Sequence, residues 1–522
     1  MTARLFHIQT CNMKKILLLS VFAIVIGAQL KSQDCPEALY YFTRQGQIDS
    51  FTIVYGPCTN ITSGLVLYGP NINNLAGLSN ITSLSNSLII ESSSITSLAG
   101  LHNLTTINRL SISGCFFLTD LTGLGSITSL GSLELLQNNN LASLNGLGAV
   151  STIPIIHLVD NPLLSDISYL SNITSASDIW IATSPLISDL DDLGNLASLD
   201  SLSLSGLGIS SFSGIGDIPF LYVLDATGLV NLNSFTGLEA ITLIGRLEVR
   251  ENQNLPNFSG LENMYGIQSL IVNTNENLVN FAGLSGLIVI QYLQVTGNPN
   301  LTSLNGIGVL THPMDSMEIR SNAQLTSLSA LNSLSSVEGH VTIRNNPELT
   351  TLGFENLRLI GGDLLIKNNP LLEDCCIISE LKGQNRLWGA VTLLENGVTC
   401  TDILTLLEND CLDADGDQVI GNDNCDDQYN PDQADTDNDG IGDICDNCPL
   451  QANNDQMDSN GDGIGNVCQM SGGTGKVDIQ QADLYISNPS RGIILRSSNN
   501  LCYRIKIAPS GKIHTQEVTC PD

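Results

Sequence analysis

The residues best suited to chemistry lie in one acidic stretch between Cys411 and Met470, which holds 15 Asp and no Glu, Lys or Arg. Two segments of it place oxygen-bearing side chains at the first, third, fifth and ninth positions of a glycine-containing loop. They are Asp435, Asp437, Asp439 and Asp443 in one segment, and Asp458, Asn460, Asp462 and Asn466 in the next. Ca²⁺ takes about six to eight oxygen ligands, and glycine lets a short loop curl around it. The spacing therefore predicts two calcium-binding loops.

Two other interpretations of this stretch compete with calcium loops. An EF-hand needs a bidentate Glu at the twelfth loop position and a helix on either side. The stretch contains no Glu, and its many Gly, Asn and Cys residues disfavour helices. A solvated acidic linker is the second alternative, and it would leave a block of like charges to repel itself because no cation is bound.

The cysteines around these loops give them a family resemblance. Two pairs share a spacing of 20 residues: Cys425 with Cys445, and Cys448 with Cys468. The motifs Asn430-Pro-Asp-Gln and Asn453-Asn-Asp-Gln follow the first cysteine of each pair. Together with the aspartate loops, these features resemble tandem thrombospondin type 3 repeats. The resemblance implies that each pair forms a disulfide and that each repeat wraps around calcium with almost no apolar core.

A third acidic segment precedes the two regular loops and matches them in part. Its stretch up to Cys425 is one residue shorter than the family pattern, and Asp426 stands where proline is usual. The candidate metal ligands outside the two regular loops are Asp413, Asp415, Asp417, Asp423 and Asp446.

The chain before Cys411 repeats an L-x-G-L element every 22 to 24 residues. The apolar residue that opens the element recurs at Leu75, Leu98, Leu121, Leu144, Ile167, Leu190, Phe212, Phe235, Phe258, Phe281, Leu304, Leu328 and Leu352. About a dozen residues earlier lies a short alternating segment, such as residues 246–250, which is typical of a strand. Each copy is therefore expected to form one coil of a solenoid with stacked parallel strands.

An asparagine follows the alternating segment in most coils. These residues are Asn138, Asn161, Asn252, Asn275, Asn298, Asn322, Asn346, Asn369 and Asn396. We expect them to satisfy backbone groups at a bend and to stack into a ladder. From Ser63 to about Cys411 the pattern resembles the receptor L domain, which is related in look to leucine-rich repeats. The resemblance implies a mainly β fold, a right-handed parallel β-solenoid of about 14 coils, and it does not carry over a ligand.

The remaining cysteines mark the ends of the predicted modules. Cys35 and Cys58 are expected to staple an N-terminal cap, and Cys502 and Cys520 a small C-terminal β-module. Cys375, Cys376, Cys400 and Cys411 surround the last coil and allow three pairings, among which the sequence does not choose. Cys115 occupies the asparagine position of its coil, which predicts a buried structural thiol.

The start of the chain indicates export. Lys14 and Lys15 precede an apolar run of 11 residues, too short to span a bilayer, which predicts a signal peptide over residues 13–33. The predicted modules that follow are a cap over 34–62, the solenoid over 63–411, the thrombospondin-like repeats over 412–470 and the β-module over 471–522. We expect no membrane span. The net charge of −32 argues against nucleic acid or anionic membranes as partners.

The outward strand positions of the solenoid are the predicted binding face. Glu134, His157 and Trp180 fall at the same position of consecutive coils and predict an exposed patch for a partner. A neighbouring column carries Arg250, Arg320, Arg344 and Lys367 and is expected to face Glu248 and Glu318. The alternative for both features is an ordinary solvated ladder with cross-strand ion pairs.

These features favour a secreted or cell-surface calcium-binding protein whose solenoid recognises an extracellular protein or glycan, with adhesion implied by the resemblance to thrombospondins. We expect no enzymatic activity. One alternative is a polysaccharide lyase or hydrolase on a β-helix, which would need a base or a carboxylate pair near a metal on one face. The other alternative is a purely structural spacer.

Overall fold

The computed structural model describes residues 34–38, 40–373, 375–398, 400, 417, 419, 423–425, 427–459, 461, 463–468, 493–496, 501–507 and 512–519. The signal peptide predicted over 13–33 lies outside these residues, as do Asp413, Asp415, Asn460, Asp462 and Cys520. The chain divides into two compact units, Met1–Asp423 and Asn424–Asp522. No helix in the described part of the chain is long and apolar enough to cross a membrane.

The first unit is built from one parallel sheet. Its strands are β1 Tyr40–Phe42, β2 Asn60–Ile61, β3 Leu65–Tyr68, β4 Ser83–Glu91, β5 Thr106–Ser113, β6 Ser129–Leu136, β7 Ile155–Val159, β8 Ser175–Ala182, β9 Ser198–Ser205, β10 Phe220–Thr227, β11 Leu243–Arg250, β12 Gly266–Asn273, β13 Val289–Thr296, β14 Ser316–Arg320, β15 Val341–Arg344, β16 Leu364–Asn369 and β17 Val391–Asn396. From β3 onward each strand pairs in parallel with the next strand along the chain, while β1 pairs with β3 and β2 with β4. Consecutive strands therefore belong to successive coils of one solenoid.

The helices of this unit are short. They are the α-helices α1 Gln45–Asp49, α2 Phe51–Tyr55 and α3 Cys376–Gly383, and the 3₁₀ helices Ala76–Leu78, Ala99–Leu101, Ser168–Leu170, Asp191–Leu193 and Ser329–Leu331. The predicted fold class is confirmed as a mainly β, parallel solenoid with few helices, and it has about 15 turns where about 14 were expected. The N-terminal cap contributes β1 to the same sheet, because Tyr40 pairs with Leu65.

The core is a continuous apolar column inside the coils. Each strand turns alternate side chains inward, as Leu247 and Val249 do on β11, and both are fully buried. Four rings stack on consecutive coils, with centroids 5.0 to 5.7 Å apart: Phe212, Phe235, Phe258 and Phe281. The period seen in the sequence is therefore the spacing that stacks equivalent side chains.

The glycine of the repeated element has a steric role. Gly260 has φ +104°, and a Cβ there would lie 2.3 Å from the backbone carbonyl carbon of Phe235, one coil earlier. A side chain would both strain the backbone and push the coils apart. The glycine is therefore required by the close stacking of coils.

The asparagines form a hydrogen-bonded ladder inside the solenoid. The Asn252 backbone N–H donates to Asn275 Oδ1 at 3.1 Å, and Asn275 Nδ2 donates to the Val249 carbonyl at 2.9 Å. The same bonds recur from coil to coil as far as Asn396. The ladder is interrupted in the middle of the unit, where Ser184, Leu207 and Leu229 occupy the asparagine position. At the coil of Cys115 the thiol is free and buried.

The residue before each ladder position has a left-handed backbone conformation. Glycine occupies this position at Gly206, Gly228 and Gly297, whereas Thr274 adopts φ 57° with a β-branched side chain. Such a residue loses about 1–2 kcal/mol in this conformation relative to glycine. The ladder bonds that follow hold the turn in place.

Replacing Thr274 with glycine is expected to stabilise the solenoid by about 1 kcal/mol, because the strain is removed while the backbone N–H of residue 274 keeps its bond to Thr296. The matched change Gly297→Ala, at the same position one coil later, should destabilise it by a similar amount. Urea unfolding midpoints of both variants measure the effect. A destabilised Thr274→Gly would contradict the account of strain.

Disulfides close both ends of the solenoid. Cys35 is bonded to Cys58, and Cys375 to Cys400, which selects one bond among the pairings that the sequence left open. Cys376 is also disulfide-bonded. One bridge precedes β2 and the other joins the residue before α3 to the segment after β17, so one lies at each end of the solenoid, where the core would otherwise be exposed.

The second unit ends in a small antiparallel sheet. Its strands are β18 Ile493–Arg496, β19 Cys502–Ile507 and β20 Ile513–Val518, in that order. Cys502 in β19 is disulfide-bonded, and Cys520, its expected partner, is outside the described residues.

Candidate metal and partner-binding sites

The first regular loop holds its leading carboxylates by backbone donors. Asp435 accepts hydrogen bonds from the N–H of Asn438 at 2.8 Å and of Gly440 at 3.0 Å. Asp439 is buried and accepts from the N–H of Ile441 at 2.9 Å. Both carboxylates are therefore fixed by the curl of the loop, which a positive φ of 92° at Gly440 permits.

Three carboxylates of this loop converge on one point. Ligand atoms of Asp435, Asp437 and Asp439 lie within 4.8 Å of one another. Asp437 Oδ2 is shielded from solvent and has no hydrogen-bond partner. Local burial and the negative charge of Asp439 raise the pKa of Asp437. A shielded carboxylate oxygen without a donor, beside two further carboxylates, fits a hard cation with oxygen ligands.

Asp443, the predicted ninth-position ligand, lies outside this cluster and accepts hydrogen bonds across the loop. Its two oxygens accept from the Thr436 N–H at 2.8 Å and the Thr436 hydroxyl at 2.7 Å, and these bonds lower the pKa of Asp443. In the next loop Asn466 makes the matching pair of contacts with Ser459. Because an amide and a carboxylate do the same work here, the alternation of Asp and Asn at this position has a structural reason.

The second regular loop repeats the first. Asp458 accepts from the N–H of Gly461 and of Gly463, both at 2.8 Å, as Asp435 does in its own loop. Asn460 and Asp462, its other predicted ligands, are outside the described residues.

The remaining candidate ligands are placed only in part. Asp417 is buried and accepts from the Val419 N–H at 2.8 Å, the bond that Asp439 makes with Ile441. Asp446 is also buried, and one of its oxygens accepts from Cys448 N–H and Gln456 Nε2, both at 2.7 Å. Asp423 is among the residues that the structure describes, whereas Asp413 and Asp415 are not.

Polar contacts and disulfides hold the loops together. Asn424 N–H donates to Gln433 Oε1 at 2.9 Å, and Asn447 N–H donates to Gln456 Oε1 at the same distance. The cysteine pairs are bonded as the resemblance implied, Cys425 to Cys445 and Cys448 to Cys468. Among the described residues from 424 to 468, the only buried apolar side chains are those of Cys425 and Cys448. Hydrophobic burial contributes little to the stability of this region.

The three residues of the predicted patch lie side by side on β6, β7 and β8. Glu134 pairs with His157, and His157 with Trp180. The His157 and Trp180 rings meet edge to face with centroids 5.6 Å apart, and the Trp180 side chain is 42% exposed. The predicted patch is therefore contiguous, and its indole is partly exposed to solvent.

Two neighbours that the sequence argument missed hold this patch in place. His157 Nε2 lies 2.8 Å from Asp178 Oδ2, and this contact lowers the pKa of Asp178. Arg109 lies 2.6 Å from Glu134 Oε2. Asp178 and Arg109 occupy the outward strand position that precedes the patch column by two residues. Reading that second column across the coils would have found both.

No protein-family model matches the sequence, and no curated protein is similar to it. Among solved structures the chain is similar to a leucine-rich repeat protein of Leptospira interrogans, at 18% identity and a TM-score of 0.32. The similarity covers 61% of this chain and 87% of the other.

Proposed function

We propose that this chain is an extracellular recognition protein with calcium-stabilised repeats and no enzymatic activity. The proposal of calcium rests on Asp437 Oδ2, which is shielded, has no hydrogen-bond partner and lies in a cluster of three carboxylates. In the described residues of this region, the only buried apolar side chains are half-cystines. A bound Ca²⁺ would give these oxygens a partner and supply folding energy that the missing core cannot. Asp435, Asp437 and Asp439 would hold the ion.

Export is the second part of the proposal. The described residues contain four disulfides, at both ends of the solenoid and in both loops. Such bonds persist in oxidising compartments and are rare in the cytosol. The apolar run after Lys15 supplies the expected signal. N-terminal sequencing of the exported protein tests this part, with a first residue near Gln33 expected.

Recognition by the patch is the third part. An exposed indole, held against His157 and flanked by a charged pair, has the composition of a binding hot spot for an extracellular protein or glycan. Two carboxylates flank His157 on this face, and each is held in an ion pair: Asp178 with His157, and Glu134 with Arg109. The described residues of this face contain no metal cluster. This arrangement favours binding over the alternative of a polysaccharide-degrading enzyme.

Trp180→Ala is expected to weaken binding by about 2 kcal/mol, or roughly thirtyfold, because the indole supplies most of the exposed apolar area of the patch. Immobilised glycans and extracellular matrix proteins are first screened with the parent chain in calcium. The matched control is Trp388→Ala, the other tryptophan of the chain, which is 69% exposed and distant in sequence. Equal affinities of the parent and Trp180→Ala would contradict recognition by the patch. If the screen finds no ligand, the alternative of a structural spacer is favoured.

A further inference from the structure

A single outward column crosses six consecutive strands, from β11 to β16. We call it the outer column, and its members are Arg250, Asn273, Thr296, Arg320, Arg344 and Lys367. Each member pairs in register with the next, so the side chains lie about 4.8 Å apart along the stacking direction. The column therefore presents a straight row of polar groups about 24 Å long.

Several polar atoms in this row are shielded and unbonded. Arg250 Nε, Asn273 Oδ1, Thr296 Oγ1 and Arg344 Nε have almost no exposed area and no hydrogen-bond partner. Buried polar atoms without partners are uncommon in folded proteins, and each costs about 1–3 kcal/mol. Four such atoms in one column show that the inner parts of these side chains are packed away from solvent, so a molecule bound to the row contacts only their outer atoms.

The charge of the row points in the same direction. Arg320, Arg344 and Lys367 stack directly on one another, although the whole chain has 52 acidic and only 20 basic residues. Arg320 lies 2.6 Å from Glu318, and Lys367 lies 3.6 Å from Glu395. Arg344 forms no ion pair within the part of the chain that the structure describes. Arg250, by contrast, is paired with Glu248 at 2.8 Å, so Arg344 is the rung whose charge a bound anion would neutralise.

We propose that the outer column binds a linear acidic polysaccharide that runs along the solenoid axis. Its carboxylate or sulfate groups contact Arg320, Arg344 and Lys367, which match a repeating negative charge rung by rung. The column contains no aromatic or aliphatic side chain that could anchor a protein, so an acidic protein segment fits it less well.

This site is separate from the Trp180 patch, so its failure would leave the proposed function standing. The test measures binding by titration calorimetry at fixed calcium and low salt. Two probes are acidic oligosaccharides: an oligomer of galacturonate, which carries carboxylates, and a heparin oligosaccharide, which carries sulfates. Polyglutamate represents an acidic protein segment, and dextran is the neutral control. We expect the parent to bind at least one acidic oligomer and not dextran, with affinity that falls as salt is raised.

Arg344→Gln is expected to reduce the affinity about tenfold, and Arg344→Gln with Lys367→Gln about fiftyfold. The matched control Arg358→Gln removes the same charge from a side chain that bonds to the carbonyls of its own turn, and it should bind like the parent. Trp180→Ala should also bind like the parent. Unfolding midpoints check that each variant folds.

Four results would overturn the proposal. The first is failure of the parent to bind either acidic oligomer. The second is a double variant that binds as tightly as the parent, which would place the binding site elsewhere on the chain. Loss of acidic-oligomer binding in Trp180→Ala would assign the ligand to the patch. Tighter binding of polyglutamate than of both oligosaccharides would assign the column to an acidic protein segment instead.

Discussion

Removing calcium with a chelator is expected to open the chain to protease between Asn424 and Cys468 while the solenoid stays folded. The described part of that segment buries no apolar side chains except half-cystines, whereas the solenoid has a continuous Leu, Ile, Val and Phe core. Without the ion, three carboxylates within 4.8 Å of one another repel. Extracellular calcium sites of this kind bind at about 10⁻⁴ to 10⁻³ M, so the transition should fall in that range of free calcium.

The substitution Asp437→Asn sharpens this test because its effect on protease sensitivity should have opposite signs with calcium and with chelator. In calcium it removes a charged ligand, so more calcium should be needed for protection, about tenfold or more. In chelator it removes a repelling charge from the cluster and should slow cleavage. The control Asp432→Asn changes an exposed carboxylate outside the loops and should do neither. Limited proteolysis followed by mass spectrometry reads both effects, and identical cleavage with calcium and with chelator would refute calcium binding.

Asn275→Leu is expected to destabilise the solenoid by about 2–4 kcal/mol. The change removes the acceptor of the buried Asn252 N–H and the donor to the Val249 carbonyl, and no water can replace them in the core. The leucine itself fits this position, because the chain already places Leu207 and Leu229 there on coils whose preceding residue is glycine. The expected loss therefore measures hydrogen bonding rather than a clash.

The control for this change is Asn263→Leu. Asn263 is exposed and donates one hydrogen bond, to the Glu239 carbonyl at 2.9 Å, so its loss should cost less than about 1 kcal/mol. Urea unfolding monitored by circular dichroism compares the two variants. Equal midpoints for Asn275→Leu and the parent would mean that the ladder is not a source of stability.

The sequence was sufficient for the coil because one period governs every level of it. A residue such as Leu247 recurs in equivalent form in each coil, and stacking equivalent residues leaves one way to bury them. The disulfide between Cys375 and Cys400 was not predictable, since it depends on how the chain between β16 and β17 folds around α3 rather than on spacing.

The metal and partner sites were predictable in residue type and less so in contacts. The loop spacing predicts four ligands, of which the structure brings Asp435, Asp437 and Asp439 together. It bonds the fourth, Asp443, to Thr436, and the role of Asp443 as a ligand stays a prediction. An oxygen side chain can serve as ligand or loop staple, and only its neighbours in space decide which. The contact between His157 and Asp178 escaped prediction for the same reason, because it joins two columns of adjacent strands.

The gap in the asparagine ladder gives the solenoid a middle that responds to temperature differently from its C-terminal half. The coils of Leu207 and Leu229 share the ring stack of the coils that follow but lack their buried amide side chains. The ladder resumes where the Leu229 N–H donates to Asn252 Oδ1 at 2.9 Å. Apolar association weakens on cooling, and a hydrogen-bonded amide row does not share that dependence. Cooling should therefore destabilise the solenoid first at the coils of Leu207 and Leu229, where the buried amide side chains are missing.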